Sequence, residues 1–340
     1  MRIIIDAFGG DNAPAEVIKG ARRAKDELDV EITLVGDCER IKSQASQIGV
    51  ELNGIELADA KGVISMCDEP TSILKENKDC SMAVGLRLLS SGGGDAFVSA
   101  GSTGALVVGA TFLVKRLKGV KRAALATVMP TSKGPCMLLD CGANSDCRPE
   151  MLTQFGIMGD AYMSRVMGIS RPRVALANIG SERTKGRELE MSAYSQLEGS
   201  GVNFIGNIEG RQIPLGDADV VVADGFSGNL ILKTIEGMGK MFSIELKGML
   251  ASGPLSMLGA LILSRRIKGF KKKMDYSEYG GAPLLGTLKP VIKAHGSSDA
   301  KAIFNAVRQA KTFVSAGVID NIKGALENLA GSSESKKGAD

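Results

Sequence analysis

The chain has 340 residues, 44% hydrophobic and 24% charged, which is an ordinary globular composition with length for one large α/β domain or two smaller ones. A net charge of +4, no Trp and 4% aromatics offer no stacking platform for bases and argue against a nucleic-acid partner. Cys38, Cys67, Cys80, Cys136, Cys141 and Cys147 form no C-x-x-C pair, nothing at the Met1 end resembles a signal peptide, and the apolar stretch Leu255 to Leu263 falls far short of the roughly 20 residues that cross a bilayer, so the chain reads as cytosolic, with reduced thiols, no metal site and no membrane span.

In chain order, short apolar runs alternate with loops of Gly, Ser, Asn and Asp and then with segments of helical period. Arg2 to Ile5 reads as a strand leading into the loop Asp6 to Asp11. Pro14 sits where the first turn of a helix tolerates a missing N–H, and that helix is expected to reach about Leu28. Ile32 to Val35 is the next strand. Ala96 to Ser99 is another, running into Ala100-Gly-Ser-Thr-Gly104 and a helical segment from Ala105 to Lys115. The pattern returns at Met137 to Leu139 before Asp140 to Asp146, at Val174 to Ala177 before Asn178 to Gly186, and at Val220 to Ala223 before Asp224 to Asn229. It ends at the loop Ala294 to Asp299.

Strands that are apolar throughout and alternate with helices predict an α/β fold with a mostly parallel sheet covered on both faces, its loops gathered in one crevice at the strands' carboxyl ends. Residues 1–330 read as one large catalytic domain, 237–281 as an inserted helical hairpin for dimerisation or a membrane surface, and 331–340 as a frayed polar tail.

Several familiar motifs are missing. No G-x-x-x-x-G-K-[ST] occurs, and no G-x-G-x-x-G follows the first strand, which argues against a nucleotide triphosphate or dinucleotide cofactor. Neither Ala100 to Gly104 nor Gly225 to Gly228 fits G-x-S-x-G. His295 is the chain's one histidine, and Asp299 follows it by four positions, one short of the H-x-x-x-x-D motif of glycerolipid acyltransferases.

What survives is a set of loops that deliver small polar residues to helix starts, where backbone N–H groups and the positive dipole end face whatever occupies the crevice. Any one such loop is equally an ordinary helix cap; five together point to phosphate or carboxylate. The expected phosphate-binding and substrate-binding residues are Asp6, Gly9, Gly10, Gly101, Ser102, Thr103, Asn144, Asp224, Ser227 and Ser297. Lys185 adds a mobile charge with Arg183 beside it, although a loop charge commonly faces water. Asn229 can donate an amide hydrogen to a substrate oxygen, and His295 stands on a Gly-Ser loop where hydrogen bonding alone is the competing use.

Met257, Leu258, Leu261 and Ile262 form a helical stripe followed by Arg265, Arg266, Lys268, Lys271, Lys272 and Lys273. This suits an anionic membrane surface or an acidic protein, and equally a dimer stripe with a solvated basic face.

Taken in order, Asp6-Ala-Phe-Gly-Gly-Asp11, Ser99-Ala-Gly-Ser-Thr-Gly-Ala105, Leu139-Asp-Cys-Gly-Ala-Asn144, Ala223-Asp-Gly-Phe-Ser-Gly-Asn229, Tyr279-Gly-Gly-Ala-Pro-Leu-Leu-Gly286 and His295-Gly-Ser-Ser298 resemble the signatures of the acyl-acyl carrier protein:phosphate acyltransferase family. Phe8 replaces the family's usual Met, an exchange of one large apolar residue for another. The resemblance implies a three-layer αβα sandwich similar to phosphotransacetylases and isocitrate or isopropylmalate dehydrogenases, acting as a homodimer without metal or other cofactor. It also implies transfer of a long-chain acyl group from acyl-acyl carrier protein to inorganic phosphate at the inner face of the membrane.

On that expectation Lys185 and helix N-termini hold the phosphate while Asn229, His295 or loop N–H groups stabilise the thioester oxyanion. A non-catalytic membrane scaffold for the carrier protein and a metal- and NAD-dependent β-decarboxylating dehydrogenase are the rival readings.

Overall fold

The computed structural model describes residues 1–267, 269 and 280–337, the stretch 330–337 as backbone. The first half alternates β1 (Arg2–Asp6), α1 (Ala15–Glu27), β2 (Glu31–Gly36), α2 (Cys38–Gln47), β3 (Ile55–Asp59), α3 (Ser81–Ser90), β4 (Ala96–Ser99) and α4 (Thr103–Gly109), which continues as a π-helical turn over Ala110–Val114. A hairpin of β5 (Ala124–Pro130) and β6 (Pro135–Leu139) leads to α5 (Pro149–Arg165), β7 (Val174–Asn178), α6 (Glu188–Glu198), β8 (Phe204–Glu209) and β9 (Val220–Val222). Then come α7 (Gly225–Leu250), α8 (Pro254–Ile262), β10 (Ala282–Leu285), β11 (Val291–Lys293), α9 (Ala300–Ser315) and α10 (Val318–Lys337).

β1 shows why the layers form. Ile3, Ile4 and Ile5 are all within 1% of full burial, and β-branched side chains favour the extended pleat. Because successive side chains point to opposite faces, Ile3 and Ile5 pack with Val17, Ile18 and Phe304 of α1 and α9. Ile4 packs on the other face with Met82 and Leu86 of α3. Two cores, one per face, make the three-layer sandwich.

The described strands form one sheet in the order β3-β2-β1-β4-β11-β10-β5-β6-β9-β7-β8. It is mostly parallel, as expected, but three pairings at its centre, β11 with β10, β10 with β5 and β5 with β6, are antiparallel. The β5–β6 turn closes through Thr131 and Gly134, whose backbones bond at 2.9 Å with Gly134 at φ 144. Consequently β6, β9, β7 and β8 run opposite to β3, β2, β1, β4 and β11. The expectation of a single carboxyl edge gives way to two opposed half-sheets.

The helix carrying the expected hairpin begins at Gly225 rather than 237 and runs unbroken to Leu250 through Gly237, Gly239 and Gly248, positions where an added Cβ would meet nothing within 4 Å. The last helix extends to Lys337, into the stretch read as a frayed tail, as a continuation of a helix already begun at Val318. No helix among the described residues is long and apolar enough to cross a membrane.

Candidate active site

Strand register brings the two half-sheets' carboxyl ends together. Lys293 closes β11 beside Ser99 of β4 and Ala282 of β10. Two residues further along β10, Leu284 pairs with Leu125, and one residue back toward that level Ala126 pairs with Leu139, the end of β6. Opposed strands therefore end almost level with one another at the middle of the sheet, and a cavity of about 280 Å³ opens there. Thr103 after β4, Lys293 at the end of β11 and His295 after it, Cys141 and Gly142 after β6, and Asn229, Lys233 and Glu236 on α7 line it, with Leu125, Val128, Leu232 and Ala282 as apolar wall.

Beneath the cavity two buried carboxylates organise the loops. Asp6, 2% exposed, accepts from Ser81 Oγ at 2.6 Å, Ser99 Oγ at 2.7 Å and the Phe8 N–H at 3.2 Å, and Ser99 Oγ in turn accepts from the Gly101 N–H at 3.0 Å. Burial raises the Asp6 pKa against these donors. A Cβ on Gly9 would stand 2.6 Å from Asp6 Oδ2 and 2.7 Å from the Gly101 nitrogen, so the first and fourth strand loops touch only because Gly occupies that position. Asp140 plays the same part after β6, accepting from the N–H groups of Leu125, Ala143 and Asn144 and from Asn144 Nδ2. Burial raises its pKa too.

These contacts separate loop-building residues from cavity residues. Asp6, Gly9 and Gly101 hold the strand loops together. Gly10 lies against Ala100 and Gly296, at φ +102. Asn144 spends its amide on Ala123 O at 2.8 Å and on Asp140. Ser102 caps α4 at the Ala105 N–H. Asp224 caps α7, accepting from the Ser227 N–H at 2.8 Å and Ser227 Oγ at 3.0 Å, and it takes a 2.6 Å ion pair from Arg187. Ser297 bonds His295. Of the residues singled out from sequence, Thr103, Asn229 and His295 line the cavity.

Lys185 does not line it. Its loop after β7 is exposed, tied to Asn178 Nδ2 through the Lys185 carbonyl at 3.0 Å, and it joins the site's surroundings only through Arg187 and Asp224. The cations at the cavity are Lys233 and Lys293, neither of which the sequence marked. Lys293 is 8% exposed; its Nζ donates to the carbonyls of Ala100, at 3.3 Å, and of Ala294, leaving one of three N–H bonds for the cavity. No carboxylate among the described residues pairs with it. Burial, and then the Lys233 charge, push its pKa down to about 8. Lys233 itself pairs with Glu236 at 2.7 Å.

His295 has a defined tautomer. The Ser297 N–H donates to its Nδ1 at 3.2 Å and Ser297 Oγ lies 2.8 Å from the same atom, so Nδ1 serves as acceptor and the neutral ring carries its proton on Nε2. Burial and the Lys233 charge lower its pKa, favouring that neutral form. Cys141 is a poor nucleophile: its thiol donates to Leu138 O at 3.2 Å, and burial pushes its pKa far up. Among the described residues no cluster of three His, Cys, Asp or Glu side chains is placed to hold a metal ion.

The chain matches the family model described as "Fatty acid synthesis protein" over residues 1–321. It is 48% identical over 327 residues to the phosphate acyltransferase of Thermoanaerobacterium thermosaccharolyticum, covering 96% of this chain and 97% of that one. With the phosphate acyltransferase of Desulfitobacterium hafniense it shares 47% identity, over 98% and 100% of the two chains. The chain belongs to the phosphate acyltransferase family of fatty acid synthesis proteins. Its fold is that of a Streptococcus pyogenes phosphotransacetylase, TM-score 0.63 at 18% identity over 94% of each chain. It is also that of 4-hydroxythreonine-4-phosphate dehydrogenase from Klebsiella pneumoniae, TM-score 0.54 at 14% identity over 92% and 99%. Among family features, Gly225 and Gly228 are explained locally: a Cβ on Gly228 would lie 1.8 Å from Asp140 O, so α7 seats on the β6 loop and aims Asn229 into the cavity only through Gly.

Proposed function

We propose that the chain transfers a long-chain fatty acyl group from acyl-acyl carrier protein to inorganic phosphate, in the cavity where the half-sheets meet. A phosphate oxygen attacks the thioester carbonyl, the carbon–sulfur bond breaks, and acyl phosphate leaves with the carrier's thiol restored by a proton. Family membership supports the reaction, and one observation supports the location: a buried ammonium at Lys293, with no ion pair among the described residues, facing a cavity where the second cation, Lys233, is already paired with Glu236. A buried cation without a partner is costly unless an anion completes it.

In this reading Lys293 neutralises the phosphate, with Lys233 and the Thr103 hydroxyl beside it. Phosphate is already partly dianionic at neutral pH, so placement and charge matter more than a base. Asn229 Nδ2 and His295 Nε2–H donate to the carbonyl oxygen as it becomes an oxyanion, each such donor contributing about 3 kcal/mol in well-studied cases. The exposed Lys185 supplies positive charge at the approach, and Lys185→Ala is expected to lower kcat/KM for phosphate by less than Lys293→Met does.

A covalent acyl-cysteine route is disfavoured by the protonated, carbonyl-bound Cys141 thiol. Cys141→Ala is expected to turn over at near the wild-type rate. Wild-type protein mixed with labelled acyl-carrier protein without phosphate should carry no label; a labelled Cys141 peptide contradicts this.

α8 buries none of its side chains, and Leu255, Leu258, Leu261 and Ile262 are 56–86% exposed, as are Met238, Met241 and Phe242 of α7 at 49–57%. Arg265 and Arg266 are exposed just beyond, while Lys268, Lys271, Lys272 and Lys273 lie outside the described residues. We assign these surfaces to homodimer contact and to peripheral attachment at an anionic membrane face.

Mass spectrometry after mixing the protein with palmitoyl-acyl carrier protein and phosphate tests the function. Acyl phosphate and free carrier thiol are expected; binding without phosphate-dependent thiol release would instead identify a scaffold.

A further inference from the structure

Behind the loop that follows β6, on the stretch joining α4 to β5, lies a feature the cavity does not use. Lys115, Arg116, Lys118, Lys121 and Arg122 bring five cations into eight residues with no acid among them, and Lys289 joins them because the Leu288 N–H bonds the Lys115 carbonyl at 3.0 Å. Lys115, Lys118, Lys121 and Arg122 are exposed. None of the six forms an ion pair with a carboxylate among the described residues. Phe112, 62% exposed, and Leu288, 44% exposed, stand at the margin of the same surface.

The segment is rigidly held. Leu117 and Val120 point inward, 5% and 6% exposed, so the cations between them are forced outward. Gln154 of α5 clamps the turn from both sides, accepting from the Lys121 N–H at 2.9 Å and donating to Gly119 O at 2.9 Å, and the Arg116 guanidinium bonds Lys121 O. Lys115 holds φ 74, a conformation that L side chains rarely adopt. A fixed set of unpaired charges with apolar residues beside it is a preorganised recognition surface.

The surface also adjoins the cavity wall. Asn144, on the loop whose Cys141 and Gly142 line the cavity, bonds Ala123 O, one residue beyond Arg122. A second copy of the chain is a poor occupant, since a symmetric contact here would set six cations against six.

Resting on the reading of the chain as a phosphate acyltransferase, we infer that Lys115, Arg116, Lys118, Lys121, Arg122 and Lys289 dock an acidic face of the protein that carries the acyl thioester. Docking there sets the carrier beside the loop that forms one wall of the cavity. A membrane needs no such nearness to the site.

The test uses the triple variant Lys118→Glu, Lys121→Glu, Arg122→Glu, whose side chains are exposed and outside the catalytic cavity. Equilibrium binding of acyl-acyl carrier protein to wild type should weaken with added salt, and the variant should bind about tenfold or more weakly with little salt dependence. In turnover, KM for acyl-acyl carrier protein should rise to match while KM for phosphate and turnover of a carrier-free acyl-pantetheine thioester stay at wild-type values. Equal carrier binding by both proteins overturns the inference, as does a variant that loses only its binding to anionic vesicles. Wild-type protein that binds the carrier through this surface yet makes no acyl phosphate sinks the catalytic reading and leaves the docking surface standing.

Discussion

Lys293→Met is expected to lower kcat/KM for phosphate by about a hundredfold or more while leaving the protein folded. The two expectations come from one cause. Lys293 is buried with two carbonyls and no carboxylate, so its ammonium destabilises the empty fold and awaits an anion. Its folded pKa, about 8, lies below the ordinary 10.5. Between those values the unfolded chain binds the extra proton, so stability rises as pH climbs from about 8 toward 10.5, and the burial penalty is fully present below about 8.

Replacing the ammonium by a thioether of similar length removes that penalty, and the melting temperature at pH 7 should hold or rise. Activity runs the other way: kcat/KM for phosphate, which reports the free enzyme, should fall as pH rises through about 8 because the ammonium is lost. Lys293→Arg should abolish that alkaline decline, whatever its absolute rate. A melting temperature that drops sharply in Lys293→Met with activity intact would make this lysine a structural residue.

Gly228→Ala is expected to cost about 3 kcal/mol or more of stability and to remove activity with it. A methyl there would overlap Asp140 O, at 1.8 Å, and a backbone carbonyl in a loop already anchored by Leu125, Ala143 and Asn144 cannot yield as a flexible side chain would. Relief requires α7 to lift from the β6 loop, which withdraws Asn229 and Lys233 from the cavity. Gly237→Ala is the control. It lies in the same helix, where the added Cβ would meet nothing within 4 Å, and should leave stability unchanged or raise it by up to about 1 kcal/mol. Urea unfolding of the two variants measures the contrast.

The sequence disclosed the strands on either side of the centre well, and the two edge strands and the centre itself poorly, for physical reasons. β1, β4, β7 and β9 are short apolar runs followed by Gly-rich loops, buried on both faces, and stand out at once. β3 alternates Ile, Glu, Leu, Ala and Asp, the pattern of a strand near the sheet's edge, and β8 is broken by Gly206 at φ 96. β10 has four residues, one of them Pro283, and owes its strand conformation to pairing with β11 and β5. The reversal of direction at the centre depends on these tertiary pairings and leaves no local trace.

The cavity was legible to the same degree. His295 sits on a Gly-Ser loop and Asn229 in the start of α7 behind Gly225 and Gly228, both of which announce close backbone approach. Lys293 ends an apolar run, where a lysine reads as the point at which a strand meets water, and Lys233 sits in a helix whose exposed face holds other charges. Only the meeting of the half-sheets buries the first and brings the second, still exposed, to the cavity's rim. Lys185 drew attention because it stands in a polar loop, which is also why it is exposed.

Calorimetric titration of inorganic phosphate into the wild-type protein and Lys293→Met, at pH 7 and again above pH 9, tests the central claim most directly. Wild-type protein should bind phosphate at pH 7 and bind it much more weakly at the higher pH, while Lys293→Met binds little at either. Equal phosphate binding by the two proteins at pH 7 would place the nucleophile elsewhere and contradict the account.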